Sequence, residues 1–190
     1  MTEFEFVFIL YALLLGLSLI ELVSGMGRAL EWKFARESAG RNFKIGWLTP
    51  ALAFFVMLDL LSFWVFAWVV RDMLTVTPLS LLAVMLFASS YYLAARLVFP
   101  TEPDNFVDLD THYLRVKGLV MAILIALVGV QWAYLLFVLP SAEGLLTPLS
   151  IGITILLVGL MTAVIIVRSP RWNLVLLVLL ILRYLVIYAL

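Results

Sequence analysis

The sequence predicts an all-α integral membrane protein, a six-transmembrane-helix bundle with the N-terminus and C-terminus both outside. Three observations carry that expectation. Of 190 residues, 66% are hydrophobic and the mean hydropathy is +1.19, whereas soluble domains hold about 45–50% apolar residues. Six separate segments reach the roughly 20 mostly apolar residues that cross a bilayer. Finally, basic residues gather in alternate loops, as they do on a cytoplasmic face. Twelve Lys+Arg balance twelve Asp+Glu, so no basic surplus exists to hold a nucleic acid. The absence of Cys excludes a disulfide framework, a thiolate nucleophile and a Cys-bound metal.

The first span runs from about Glu5 to Met26. Its flank, Met-Thr-Glu-Phe-Glu, is acidic and no small-residue cleavage site follows, which is not the pattern of a cleaved signal peptide. The second span covers about 50–70 and the third 78–99; 116–139, 148–167 and 172–190 complete the set. Together they make residues 1–190 one polytopic membrane domain. Three segments open alike, at Leu48-Thr49-Pro50, Val76-Thr77-Pro78 and Leu146-Thr147-Pro148. Thr is a good N-cap, and Pro at the first helical position gives up an N–H that has no helical partner anyway. Repetition of these starts fits a weak internal repeat, although capping alone also produces it.

Orientation follows from the loops. Arg28, Lys33, Arg36, Arg41 and Lys44 follow the first span, Arg96, Arg115 and Lys117 flank the third loop, and Arg168 and Arg171 lie in the fifth. Arg71 alone lies in an even-numbered loop and Arg183 falls within the last span. Odd loops are therefore expected in the cytoplasm and both termini outside, in a cell membrane (the inner membrane if the cell is bacterial).

Charges inside the spans are the best functional pointers, since each costs roughly 2.5–3.5 kcal/mol to insert. They are Glu21, Asp59 and Arg183. Ser18 shares a helical face with Glu21, Gly25 and Arg28; Ser62 shares one with Asp59; Ser89, Tyr92 and Arg96 share a third. Gln131 lies in the fourth span. Asp59 and Arg183 fall at matched depths, roughly 15 and 18 Å from their helix starts by the 1.5 Å rise, and so are expected to pair. Pairs Ala12/Gly16, Ala122/Ala126 and Gly159/Ala163 keep the four-residue spacing of close helix contacts, and Gly118 and Gly152 extend two of them.

The third loop carries Asp108, Asp110 and His112, which would point one way if extended. Oxygen and imidazole donors make them weak metal candidates, but no zinc or calcium template fits. Pairing with the basic first loop, or capping of the fourth helix by Asp110 or Thr111, is the plainer expectation. No Ser/His/Asp arrangement, HExxH helix or phosphate-cradling loop is present, so neither catalysis nor a cofactor is expected. Two functions are: a non-catalytic multi-pass subunit (scaffold, anchor or sensor) that assembles with itself or a membrane partner in the lipid bilayer, or a small oligomeric transporter or channel using Asp59 and Glu21.

Overall fold

The computed structural model describes residues 3–38, 45–71, 76–101, 108–137 and 146–189. Six helices account for nearly all of them: α1 (Glu3–Ser38), α2 (Leu48–Val69), α3 (Pro78–Val98), α4 (Leu109–Phe137), α5 (Pro148–Ile166) and α6 (Pro170–Ala189). All six are long and apolar enough to cross a membrane. The chain is a multi-pass membrane protein.

Two helices outrun their expected spans. At 36 residues, α1 measures about 54 Å by the 1.5 Å rise and continues into the basic stretch expected to be a loop, past Arg28 and Lys33 to Ser38. α4 begins at Leu109 rather than near 116, which takes the second half of the acidic loop into its first turns. Thr77 and Thr147 cap α3 and α5 as expected, each accepting from the backbone N–H of the Ser three residues on at 3.1 Å, with Pro at the first turn.

The third Thr-Pro behaves differently. α2 starts at Leu48, so Thr49 is already helical, and its hydroxyl donates to the Leu109 carbonyl at 2.8 Å. The cap comes from another helix: Asp110 Oδ1 accepts from the Leu48 N–H at 3.2 Å. That approach requires Gly46, whose φ is +65° and whose missing Cβ would stand inside the Asp110 carboxyl group. A side chain from α4 thus fixes the start of α2, which removes the support that the shared Leu-Thr-Pro gave to a repeat of spans two and five.

α2 is the hub, packing against α1, α3, α4 and α6, while α3, α4, α5 and α6 follow one another around it. Phe4, Trp68, Ser80, Tyr134 and Tyr188 mark one end of the bundle; Leu48, His112 and Asn173 mark the other. The buried face of α1 reads Val7, Tyr11, Leu15, Ser18, Leu22, Gly25, Ala29, alternating steps of three and four. Lipid is as apolar as these side chains, so close packing and hydrogen bonds, rather than water exclusion, hold the helices together. Gly25 allows the closest approach, because the Phe99 ring occupies the space of its absent Cβ. The expected small-residue stripes do not serve this purpose: a Cβ on Gly16, Gly118, Gly152 or Gly159 would meet nothing, and Ala122 and Ala126 are exposed. α6, rather than facing lipid all round, turns Asn173, Leu177, Leu180 and Tyr184 into the bundle.

Candidate functional site

Asp59 lies 0% exposed at the middle of α2. Its expected partner does not reach it, and two tyrosines hold the carboxyl group instead. Tyr184 of α6 donates its hydroxyl to Oδ1 at 2.6 Å. The Tyr91 hydroxyl of α3 lies 3.2 Å from Oδ2 and 2.7 Å from the Val56 carbonyl. Sequence depth for Arg183 was sound, but azimuth decides the pairing. Adjacent residues on a helix diverge by about 100°, so Tyr184 takes the carboxyl group while Arg183 is turned aside into the neighbouring cavity.

A phenol has one proton to give. If the Tyr91 proton goes to Val56, its nearer acceptor, the contact with Oδ2 is satisfied by a proton on Asp59 donated to the Tyr91 oxygen. If Asp59 is ionised, Tyr91 turns its proton to the carboxylate. Both states of the acid are therefore hydrogen-bonded without moving a helix, and an ionised carboxylate without a cation partner is the costlier of the two in an apolar interior.

Tyrosines from three helices also anchor on the α2 backbone. Tyr11 donates to Phe63 O at 3.2 Å, Tyr91 to Val56 O, and Tyr188 to Leu58 O at 2.8 Å. Ser62 donates to Asp59 O at 2.7 Å and Ser18 to Leu14 O at 3.0 Å, so both hydroxyls are spent on their own helices. Such bonds satisfy phenols that would otherwise be stranded in hydrocarbon.

Arg183 points into a cavity of about 430 Å³ between α2, α4, α5 and α6. Its guanidinium carbon stands 4.6 Å from the Tyr184 ring centre. Nε and Nη1 are buried with no hydrogen-bond partner, an omission that costs about 1–3 kcal/mol per group when unrepaid. Gln131, half-buried, lines this cavity and a second one of about 160 Å³ walled by Phe4, Phe8, Tyr11, Phe66 and Phe87.

Glu21 has a different environment. Arg96 of α3 lies 2.6 Å from Oε1 and Arg28, two turns along α1, lies 3.0 Å from it. Its charge is compensated twice over and ties α1 to α3. Ser89 and Tyr92, expected beside Arg96, face outward; the face that α3 buries is Ala88, Tyr91, Ala95 and Val98, one position earlier.

The weak metal candidates diverge. Asp108 Oδ1 accepts from the Thr111 N–H at 2.6 Å and caps α4, Asp110 caps α2, and His112 Nε2 lies 3.1 Å from Leu97 O. An α-helix from Leu109 onward replaces the extended run that would have aligned them. Among the described residues no group of three or more His, Asp or Glu is placed to hold a metal. Arg41, expected to pair with this loop, lies outside the described residues.

One polar cluster has no counterpart in the expectations. Lys117 Nζ donates to Val164 O at 2.7 Å, to Asn173 Oδ1 at 3.0 Å and to Val167 O. Tyr113 donates to Asn173 Oδ1 at 2.9 Å, and Asn173 Nδ2 to Val167 O and Ser169 O at 2.7 and 2.9 Å. The cluster supplies donors to the last carbonyls of α5 and locks the α5–α6 turn against α4. In the sequence Lys117 read only as a topology signal, and a lone Asn after Pro170 gave none.

No family model, characterised protein or solved structure is significantly similar to the chain.

Proposed function

We propose that the protein is a small proton-coupled membrane transporter in which Asp59 takes up and releases the proton. One observation carries this reading: a fully buried carboxyl group without an ion-pair partner among the described residues sits beside an open cavity and has a complete hydrogen-bonding arrangement in either protonation state. Intramembrane acids that lack a structural counter-ion are the usual proton carriers of such proteins. Tyr184 contacts both the carboxyl group and the cavity, which gives the proton a route toward the end of the bundle expected to face outside. Glu21, held by two arginines, plays no part in it. No step requires catalysis or a cofactor.

The test is uptake of a panel of labelled solutes into vesicles holding the purified protein, with and without an inward proton gradient. At least one solute should be taken up faster with the gradient, and Asp59→Asn should remove that increment. Uptake that is unaffected by Asp59→Asn for every solute would overturn the reading.

A second reading keeps the protein as a non-catalytic subunit that assembles with itself or another membrane protein. Its support is the row Gly118, Ala122, Ala126 on α4, in which both alanines are exposed and a Cβ on Gly118 would meet open space, and which has the spacing of helix-pairing faces.

A further inference from the structure

We propose that the cavity between α2, α4, α5 and α6 binds a small organic monoanion, its oxyanion head against Arg183 and its hydrocarbon body toward Val128, Trp132, Leu135 and Leu157. This deepens the transport reading and rests on it, because it names the class of solute that would travel with the proton.

Four observations converge. Arg183 is the single charged residue lining the cavity among the described residues, and guanidinium stays protonated at any accessible pH. It stands within Coulombic reach of Asp59, yet the carboxyl oxygens are engaged by Tyr184 and Tyr91. Its Nε and Nη1 are without acceptors among the described residues, which leaves room for an anionic partner in the cavity. One arginine calls for one negative charge.

The remaining polar liners sharpen the class. The Ser62, Thr154, Tyr184 and Tyr188 hydroxyls already give their protons to Asp59 O, Ser150 O, Asp59 Oδ1 and Leu58 O. The Ser150 hydroxyl is likewise spent on Thr147 O, which leaves Arg183, the Gln131 amide and the Trp132 indole N–H as the remaining donors on the lining. A fixed positive charge with no acidic side chain beside it on the lining suits a carboxylate or a phosphate monoanion and does not suit an ammonium group. About 430 Å³ is within the range of roughly 300–1,000 Å³ for small-molecule sites, and the apolar walls call for a hydrocarbon body rather than a bare inorganic ion.

Charge then couples the anion to the proton. The groups that face Asp59 are Tyr11 of α1, Tyr91 of α3, and Arg183, Tyr184 and Tyr188 of α6. Arg183 is the only fixed charge among them. An anion seated on Arg183 cancels the one charge that favours ionised Asp59, and so favours the protonated acid. By linkage, protonation of Asp59 tightens anion binding. One anion and one proton cross together, and the loaded cavity is electrically neutral beside Arg183.

The experiment measures binding of sodium octanoate to the purified protein in phosphatidylcholine nanodiscs, with octanamide as the uncharged comparator. Between about pH 6 and 8 the free acid in solution, an alkyl carboxylic acid that titrates well below this range, is ionised. Octanoate should bind saturably and octanamide at least about tenfold more weakly, as expected for loss of a charged hydrogen bond. Arg183→Gln should lose the preference for octanoate, and Arg183→Lys should keep part of it. Wild-type affinity should rise as pH falls, by at most about tenfold per unit for one proton, and Asp59→Asn should bind octanoate with no such dependence. A parallel series in phosphatidylglycerol nanodiscs identifies the source of the anion: if an anionic lipid headgroup is the natural occupant, it will compete octanoate off in an Arg183-dependent way. Equal binding of octanoate and octanamide, or no saturable binding of octanoate in phosphatidylcholine nanodiscs, overturns the anion site. Octanoate binding that is flat with pH in the wild type overturns its coupling to Asp59. Neither result touches the loss of gradient-driven uptake in Asp59→Asn, on which the transport reading itself stands or falls.

Discussion

Replacing Asp59 separates a proton-carrying acid from a structural ion. In Asp59→Asn the amide oxygen accepts from Tyr184 as Oδ1 does now at 2.6 Å, and the amide N–H takes the place of the acid proton toward the Tyr91 oxygen at 3.2 Å. Every hydrogen bond of the protonated state survives, so the change in stability should stay below about 1 kcal/mol. Asp59→Leu keeps the branched shape, with two methyls in place of the oxygens, and removes both acceptor and donor. Tyr91 retains Val56 O at 2.7 Å and loses little. Tyr184 loses its acceptor inside the bundle, at a cost of about 1–3 kcal/mol; pairs measured in membranes, which reach about 1.7 kcal/mol, place the effect toward the lower part of that range. Had Asp59 been half of a buried salt bridge, Asp59→Asn would have stranded a cation at a cost of about 3–5 kcal/mol. Thermal unfolding in nanodiscs, calibrated by reversible unfolding in a mixed-detergent series, gives the comparison. A stable Asn variant and a weakened Leu variant are expected. An Asn variant as damaged as the Leu variant would refute the reasoning.

Lys117→Met should destabilise the protein by about 1–3 kcal/mol, because Val164 O, Val167 O and Asn173 Oδ1 share its ammonium group in a buried site; protease cleavage in the α5–α6 turn around Arg168 should quicken in step, and unchanged cleavage would deny the clamp. Gly46→Ala should cost at least about 1–2 kcal/mol, from a left-handed backbone that L-residues resist and further from a Cβ that displaces the Asp110 cap of α2; the thermal midpoint of the variant checks it, and in an Asp110→Ala background the difference between Gly and Ala at 46 should shrink to the backbone part. For topology, the natural absence of Cys permits single-cysteine labelling: Asp108→Cys should resist an impermeant thiol reagent in intact cells and Ala142→Cys should react, and the reverse pattern would invert the bundle.

How far the sequence carried the structure depended on whether the deciding physics was local. Apolar runs place helices because the bilayer sets their length, and the Thr77 and Thr147 caps are local side chain-to-backbone bonds that their own tetrapeptides specify. Thr49-Pro50 looked the same and failed, since its helix is started by Asp110, 62 residues away, on a glycine whose backbone the motif does not register. α1's inward face was readable from the 3-4 spacing of Ser18, Glu21 and Gly25. On α3 the polar row Ser89, Tyr92, Arg96 drew the eye one position off the buried row, where three of four residues are apolar and small. Depth along α2 and α6 brought Asp59 and Arg183 to one level, while rotation gave Asp59 to Tyr184 and left Arg183 facing the cavity. Tyrosines count as interfacial or apolar in a hydropathy reading, which hid the two residues that hold the carboxyl group.

The central claim, that Asp59 carries an exchangeable proton, is tested most directly by infrared spectroscopy of the protein in nanodiscs across a pH series, wild type against Asp59→Asn. Titration at buried sites is visible there because the C=O stretch of a protonated carboxyl group disappears when the acid ionises. The account predicts a protonated-carboxyl band that Asp59→Asn removes, that shifts in Tyr184→Phe as its 2.6 Å hydrogen bond is lost, and that fades reversibly as pH is raised. A wild-type spectrum identical to that of Asp59→Asn in the protonated-carboxyl region at every pH would mean that Asp59 is permanently ionised, and would contradict it.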